Sequence, residues 1–142
     1  MKSMAWLVLL AVACGAHAAE EDSTPCDNVE TDQQGYACAA YNKKTAEREL
    51  QAAYDDLVQR IRDQYADDNV KATALVGRMD AARKLWTQLR DADCKVETYA
   101  EKDASQAYQT AWNTCMAQRS DERSDYLRNL WSQNSDELPA ED

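Results

Sequence analysis

Apolar positions along this 142-residue chain recur every three or four residues, and no stretch shows the alternation of a strand. Leu50, Tyr54, Leu57, Ile61 and Tyr65 keep a four-three-four-four spacing, extended upstream by Tyr36, Ala39, Ala40 and Ala46. Such a stripe lies on one helix face and predicts a long amphipathic helix over residues 33–65. Thr31 with Gln34 three residues on is a capping-box pair at its start, and Asp67, Asp68 and Asn69 supply stop and N-cap chemistry at its end. A second helix is expected from Val70 to near Ala100, where Met79, Ala82, Trp86 and Leu89 recur at helical spacing with Leu85 beside Trp86. Trp86 is the largest apolar group on that stripe, so it is expected to anchor a core around which the other helices are organised. Gly77, inside this helix, costs about 1 kcal/mol relative to alanine and marks a place for a break. Lys102 to Gln106 reads as a polar turn. A third helix follows, with Tyr108, Ala111, Trp112, Cys115, Tyr126, Leu127, Leu130 and Trp131 as its apolar members. With three glycines and two prolines in the chain, the expected class is all-α: three long antiparallel helices in a small disulfide-stapled bundle.

The ends of the chain have a different character. Lys2, the apolar run Met4–Ala13 and the A-x-A site Ala16-His17-Ala18 read as a secretory signal over residues 1–18. The run is too short for a stable membrane anchor, and no other run is apolar enough to span. Ala11-Val12-Ala13-Cys14 loosely resembles a lipoprotein processing site, which would anchor the chain by lipid at Cys14; simple export to the periplasm or the medium is the default. Residues 19–32 read as an acidic lead-in, 33–132 as the helical domain and 133–142 as an acidic tail containing Pro139. The formal net charge is −10, but ten of the 26 acidic residues lie in Glu20–Asp32 and Asp136–Asp142, where there is no base. The body is nearly neutral, and the tails are expected to be solvated. Without a basic stripe, nucleic acid is not an expected partner.

Cleavage after Ala18 would remove Cys14 and the single histidine, His17. Cys26, Cys38, Cys94 and Cys115 remain, an even number in an exported chain, which implies two disulfides. A hairpin turn centred near Ala104 and Ser105 would set Cys94 against Cys115 and leave Cys26 for Cys38. A first turn near Asp67 would instead place Cys38 level with Cys94, leaving Cys26 for Cys115. Shorter loops close more readily, which favours the sequential pairing.

Little in the mature chain suggests chemistry. It has no histidine to act as a base or metal ligand, no C-x-x-C, no nucleophile elbow and no glycine-rich phosphate loop. Oxidised cysteines are neither nucleophiles nor zinc ligands. Carboxylate pairs such as Glu47 with Glu49, or Asp91 with Asp93, read as helix surface charge. Arg90 and Arg123 lie close to apolar stripes and read as structural arginines with stems along the core, paired to carboxylates. Asp93, three residues along, is a candidate partner for Arg90. Trp131, near the end of the last helix, is the aromatic expected to be exposed. Neither an enzyme nor a cofactor-binding protein is expected.

Ala82-x3-Trp86-x3-Arg90-Asp91-Ala92-Asp93-Cys94 resembles the W-x3-R-D-A-[ED]-C signature of the LprI-like lysozyme-inhibitor domain family. Cys26 and Cys38 resemble that family's upstream cysteine pair, Glu49-Leu50 with Tyr54 its E-L-N-x2-Y segment, and Cys115, Ser120, Arg123 and Leu127 its closing C-x4-T-x2-R-x3-L. The chain departs from the pattern at Gln51, in place of Asn, at Arg83, in place of Gln, at Leu89, in place of an aromatic, and in a shortened turn at Lys102–Ser105. The resemblance implies a small helical, disulfide-bearing protein of the bacterial envelope with a protein partner, a cationic lysozyme first among them. The other function it leaves open is an accessory or immunity-type module binding another envelope protein. A lysozyme-binding protein would present carboxylates and bind in a salt-sensitive way. An accessory module would present an exposed aromatic patch.

Overall fold

The computed structural model describes residues 23–130; Cys14, His17, Trp131 and the acidic C-terminal tail lie outside them. The described chain is three helices with no strand: α1 (Asp32–Gln64), α2 (Asn69–Glu97) and α3 (Gln106–Asn129). Successive helices are antiparallel, as cross-contacts from Arg83 to Gln51 and from Cys94 to Cys115 require, so α1 and α3 run parallel. No helix of the described residues is long and apolar enough to cross a membrane.

Local chemistry sets every helix start. The Thr31 hydroxyl accepts from the Gln34 N–H at 3.2 Å while the Gln34 carbonyl oxygen Oε1 accepts from the Thr31 N–H at 2.9 Å, a complete capping box. Asp68 caps α2 through the Lys71 N–H at 2.9 Å, and Ser105 caps α3 through the Tyr108 N–H at 3.0 Å. Gly77 makes no break, and α2 runs through it. The turn into α3 puts Ala104 at φ 60°, a left-handed conformation that glycine adopts freely and alanine only under strain.

Packing is uneven, with α1 and α3 in close apposition and α2 approaching both more loosely. Side-chain size accounts for this. The α1–α3 seam contains small buried residues, Ala39, Ala46 and Ala53 on one side and Ala117, Ser120 and Ser124 on the other. Small side chains let helix axes approach. The inward face of α2 instead carries Arg83, Trp86 and Arg90 at its centre, which hold it away. The main core lies toward the α1–α2 turn, where Leu50, Tyr54, Leu57, Ile61, Ala72 and Leu127 are buried together, with Leu75, Val76, Met79 and Trp86 packed against them. A smaller cluster at the other end joins Cys94, Cys115 and Met116, with Trp112 alongside.

Two expectations are therefore corrected. The helix that organises the molecule is not α2, because the tightest pairing joins α1 to α3. The apolar stripe read through Ala82, Leu85, Trp86 and Leu89 is split. Met79 and Trp86 turn inward, whereas Ala82, Leu85 and Leu89 are exposed on the outer side. The disulfides are Cys26–Cys38 and Cys94–Cys115, the sequential pairing. Cys26–Cys38 ties the lead-in to α1, and Cys94–Cys115 ties the end of α2 to α3. Arg60 reaches across from α1 to close the C-terminus of α3, donating to the carbonyls of Leu127 at 2.9 Å and Leu130 at 3.3 Å.

Candidate functional site

Trp86 and Arg90 of the W-x3-R-D-A motif meet Arg123 in the gap between α2 and the α1–α3 pair, while Ala92 is exposed. The Arg90 guanidinium lies 5.2 Å from the Trp86 ring centroid and that of Arg123 lies 5.7 Å from it. Arg123 also lies 4.7 Å over Tyr126 and donates through Nε to the Tyr54 hydroxyl at 3.2 Å. Arg83 covers the other part of the same seam, 4.6 Å from the Tyr54 ring. Three cations thus lie on aromatic faces where a hydrocarbon core would otherwise be, each contact worth about 0.5–2 kcal/mol.

Arg90 is largely buried, with 11% of its side chain exposed. Its Nε and Nη2 donate to Asp91 Oδ1 at 2.9 and 2.8 Å, its Nη1 reaches Ser120 Oγ at 3.4 Å, and Glu47 of α1 stands at 3.9 Å. Its partner is thus the adjacent Asp91, not Asp93. Asp93, one residue before Cys94, acts at longer range on Arg119, whose pKa is raised mainly by its hydrogen bond and ion pair with Glu97. Leu127 is buried in the main core. Gln51 and Arg83, two of the positions that depart from the resembled pattern, are bonded to each other, Arg83 Nη2 to Gln51 Oε1. The seam joins helices, and its polar groups are satisfied by one another.

A different surface remains open. On α3, Asp121, Asp125 and Glu122, the last also paired with Arg119 at 3.5 Å, line a groove of about 690 Å³ with Glu49 of α1. Ala39, Ala46, Ala117, Thr45 and Thr114 contribute its small-residue walls, the same small side chains that bring α1 and α3 together. Arg128 is the one cation among the groove's lining residues, 3.6 Å from Glu49 and 3.5 Å from Asp125. The Asp121 carboxyl is pushed above its ordinary pKa, first by partial burial and then by Glu49 and Asp125. The fold therefore gathers like charges here, and an incoming cation would relieve them.

This groove was not visible in the sequence, because its two walls come from helices 65 or more residues apart. One signal existed: Asp121 and Asp125, four apart on α3, share the Thr114–Ala117 face.

The chain belongs to the LprI lysozyme inhibitor family, whose model, described as "Lysozyme inhibitor LprI", matches residues 26–127. It is similar to a DUF1311 family protein from Pseudomonas putida KT2440, known from a crystal structure at 1.85 Å resolution. The two are 64% identical, the match covers 75% of this chain and 100% of that one, and the TM-score is 0.66. No curated protein matches the chain.

Proposed function

We propose that this is an exported, non-enzymatic binding protein of the bacterial envelope that inhibits a lysozyme. Family membership across residues 26–127 is the observation that carries the reading. Two disulfides support an oxidising compartment, and the signal-like residues 1–18 support export. On this reading residues 19–32 and 133–142 flank the inhibitory domain, and their acidic residues add long-range attraction for a cationic enzyme.

The α1–α3 groove is the surface proposed to meet the enzyme. Lysozymes of the cationic kind present arginines and lysines, and a cleft of carboxylates with small apolar walls accepts such side chains with their stems. The aromatic–arginine seam is assigned the structural role of holding α2 in place. The test is lysis of a cell-wall suspension by a cationic lysozyme with purified mature protein added. Dose-dependent inhibition that weakens as salt rises is expected. Undiminished lysis at a large molar excess of the protein would refute the reading.

A further inference from the structure

The outer face of α2 carries apolar side chains that nothing among the described residues covers. Leu85 is 68% exposed, Leu89 59%, Val96 76% and Tyr99, just past the helix end, 90%. Ala82 and Ala92 are exposed between them. Within α2, positions 82, 85, 89, 92 and 96 follow a three-four-three-four spacing, the seam of a two-helix coiled coil, and Tyr99 extends the row into the turn that follows the helix. No charged residue occupies any of the six. They lie to one side of Trp86 and Arg90, whose side chains are engaged with α1 and α3.

We infer that this face pairs with the same face of a second copy of the chain, antiparallel and related by a twofold axis near Arg90 and Asp91. The spacing is self-complementary in that arrangement. Leu85 falls opposite Val96 of the second copy, Leu89 opposite Ala92, and Ala82 opposite Tyr99. Two of the three layers set a large side chain against a small one, which suits knobs-into-holes packing. Along the flanks Lys95 falls opposite Gln88 and Asp93 opposite Trp86, so no like charges meet. A parallel pairing would stack Tyr99 on Tyr99 and Ala92 on Ala92, leaving one layer crowded and another hollow. An interface with these properties is isologous and closes at two subunits. Complete burial of the exposed parts of these six side chains would remove at most about 600 Å² per chain, about 1,200 Å² in all, which reaches the roughly 1,000 Å² expected of a specific contact.

This surface is separate from the acidic groove, so the inference does not rest on lysozyme binding. If both hold, the dimer presents two grooves at once. The experiment is sedimentation equilibrium of the whole mature chain with its disulfides intact, from about 1 µM to about 500 µM. A monomer–dimer equilibrium is expected, with Leu89→Glu and Val96→Glu each weakening association by about tenfold or more. Val70→Glu, at the far end of the same helix and beyond the paired segment, should leave it unchanged. Circular dichroism should show each variant folded, since all three positions are exposed. A nitroxide at Ala92 should report a short distance to its twin, and one at Val70 a distance of about 60 Å, given 1.5 Å of rise per residue. A chain that stays monomeric throughout overturns the inference, as does a dimer indifferent to Leu89→Glu. A monomer that instead binds lipid vesicles or another protein through Leu89 overturns it too.

Discussion

Arg90 shows how a charge can be kept in a helical seam chiefly by its own helix, with Glu47 of the facing α1 only at the 3.9 Å edge of ion-pair range. Its fork is held by Asp91 on its own helix, and its flat face by Trp86. Lysine has neither the fork nor the planar face, so Arg90→Lys should lower stability by about 1–2 kcal/mol in urea unfolding, while Lys84→Arg, on the exposed side, should change it little. Trp86→Ala should cost more, about 3 kcal/mol, because it opens a cavity and leaves the Arg90 and Arg123 guanidinium faces uncovered. Equal losses for Arg90→Lys and Trp86→Ala would mean that Trp86 is not the platform for both. The stacking of Arg90 on Trp86 was legible from their four-residue spacing. The identity of Arg90's partner was not, because Asp91 and Asp93 differ only in side-chain direction, and Asp91 alone meets the guanidinium. Ala104 is a second residue-scale case: at φ 60°, Ala104→Gly should raise stability by about 1 kcal/mol, measured by thermal unfolding.

At the scale of elements the molecule is a tight pair, α1 with α3, and an attached third helix. The sequence showed three helices, the caps of the first two and both turns, because those depend on neighbours within a few residues; the Ser105 cap of α3 lay unread within the second turn. Thr31 with Gln34, Asp68 and Ser105 each do their capping locally. Which pair packs tightest depends on facing side chains from distant segments, alanines and serines in one seam, arginines and a tryptophan in the other. That is also why Leu85 and Leu89, two residues of a convincing apolar stripe, ended on the outside. In this arrangement Cys94–Cys115 fixes the far end of α2, beyond the main core, to α3. Replacing both cysteines by serine should cost about 2–4 kcal/mol, and amide exchange should accelerate through the C-terminal half of α2 while α1 stays protected. Uniform acceleration across all three helices would contradict the picture of a loosely attached α2. Gly77 gives an independent check on the same helix. A methyl group added there meets nothing within 4 Å, so Gly77→Ala should stabilise by about 1 kcal/mol.

For the whole molecule, the charge pattern sets a conflict between stability and binding. The body is close to neutral, yet Glu49, Asp121, Glu122 and Asp125 share one groove. The raised pKa of Asp121 means that the fold favours its protonated form. Its contribution to stability is therefore present at acid pH and lost as pH rises through the carboxylate range. Asp121→Asn should shrink that dependence and raise the melting temperature at neutral pH. If the groove serves to bind a cationic enzyme, the same change should weaken binding, so stability and affinity move in opposite directions. The sequence could place the acidity of the two tails. It could not place the groove, which exists only once α1 and α3 are side by side.

The most direct measurement is a calorimetric titration of a cationic lysozyme into the mature protein and into its Asp121→Asn, Asp125→Asn variant, with melting temperatures taken on the same samples. Binding by the wild type, weakened about tenfold in the variant as two charge contacts are lost, with a melting temperature equal or higher, is the expected result. An unchanged affinity in the stably folded variant would show that the groove is not where the enzyme is held.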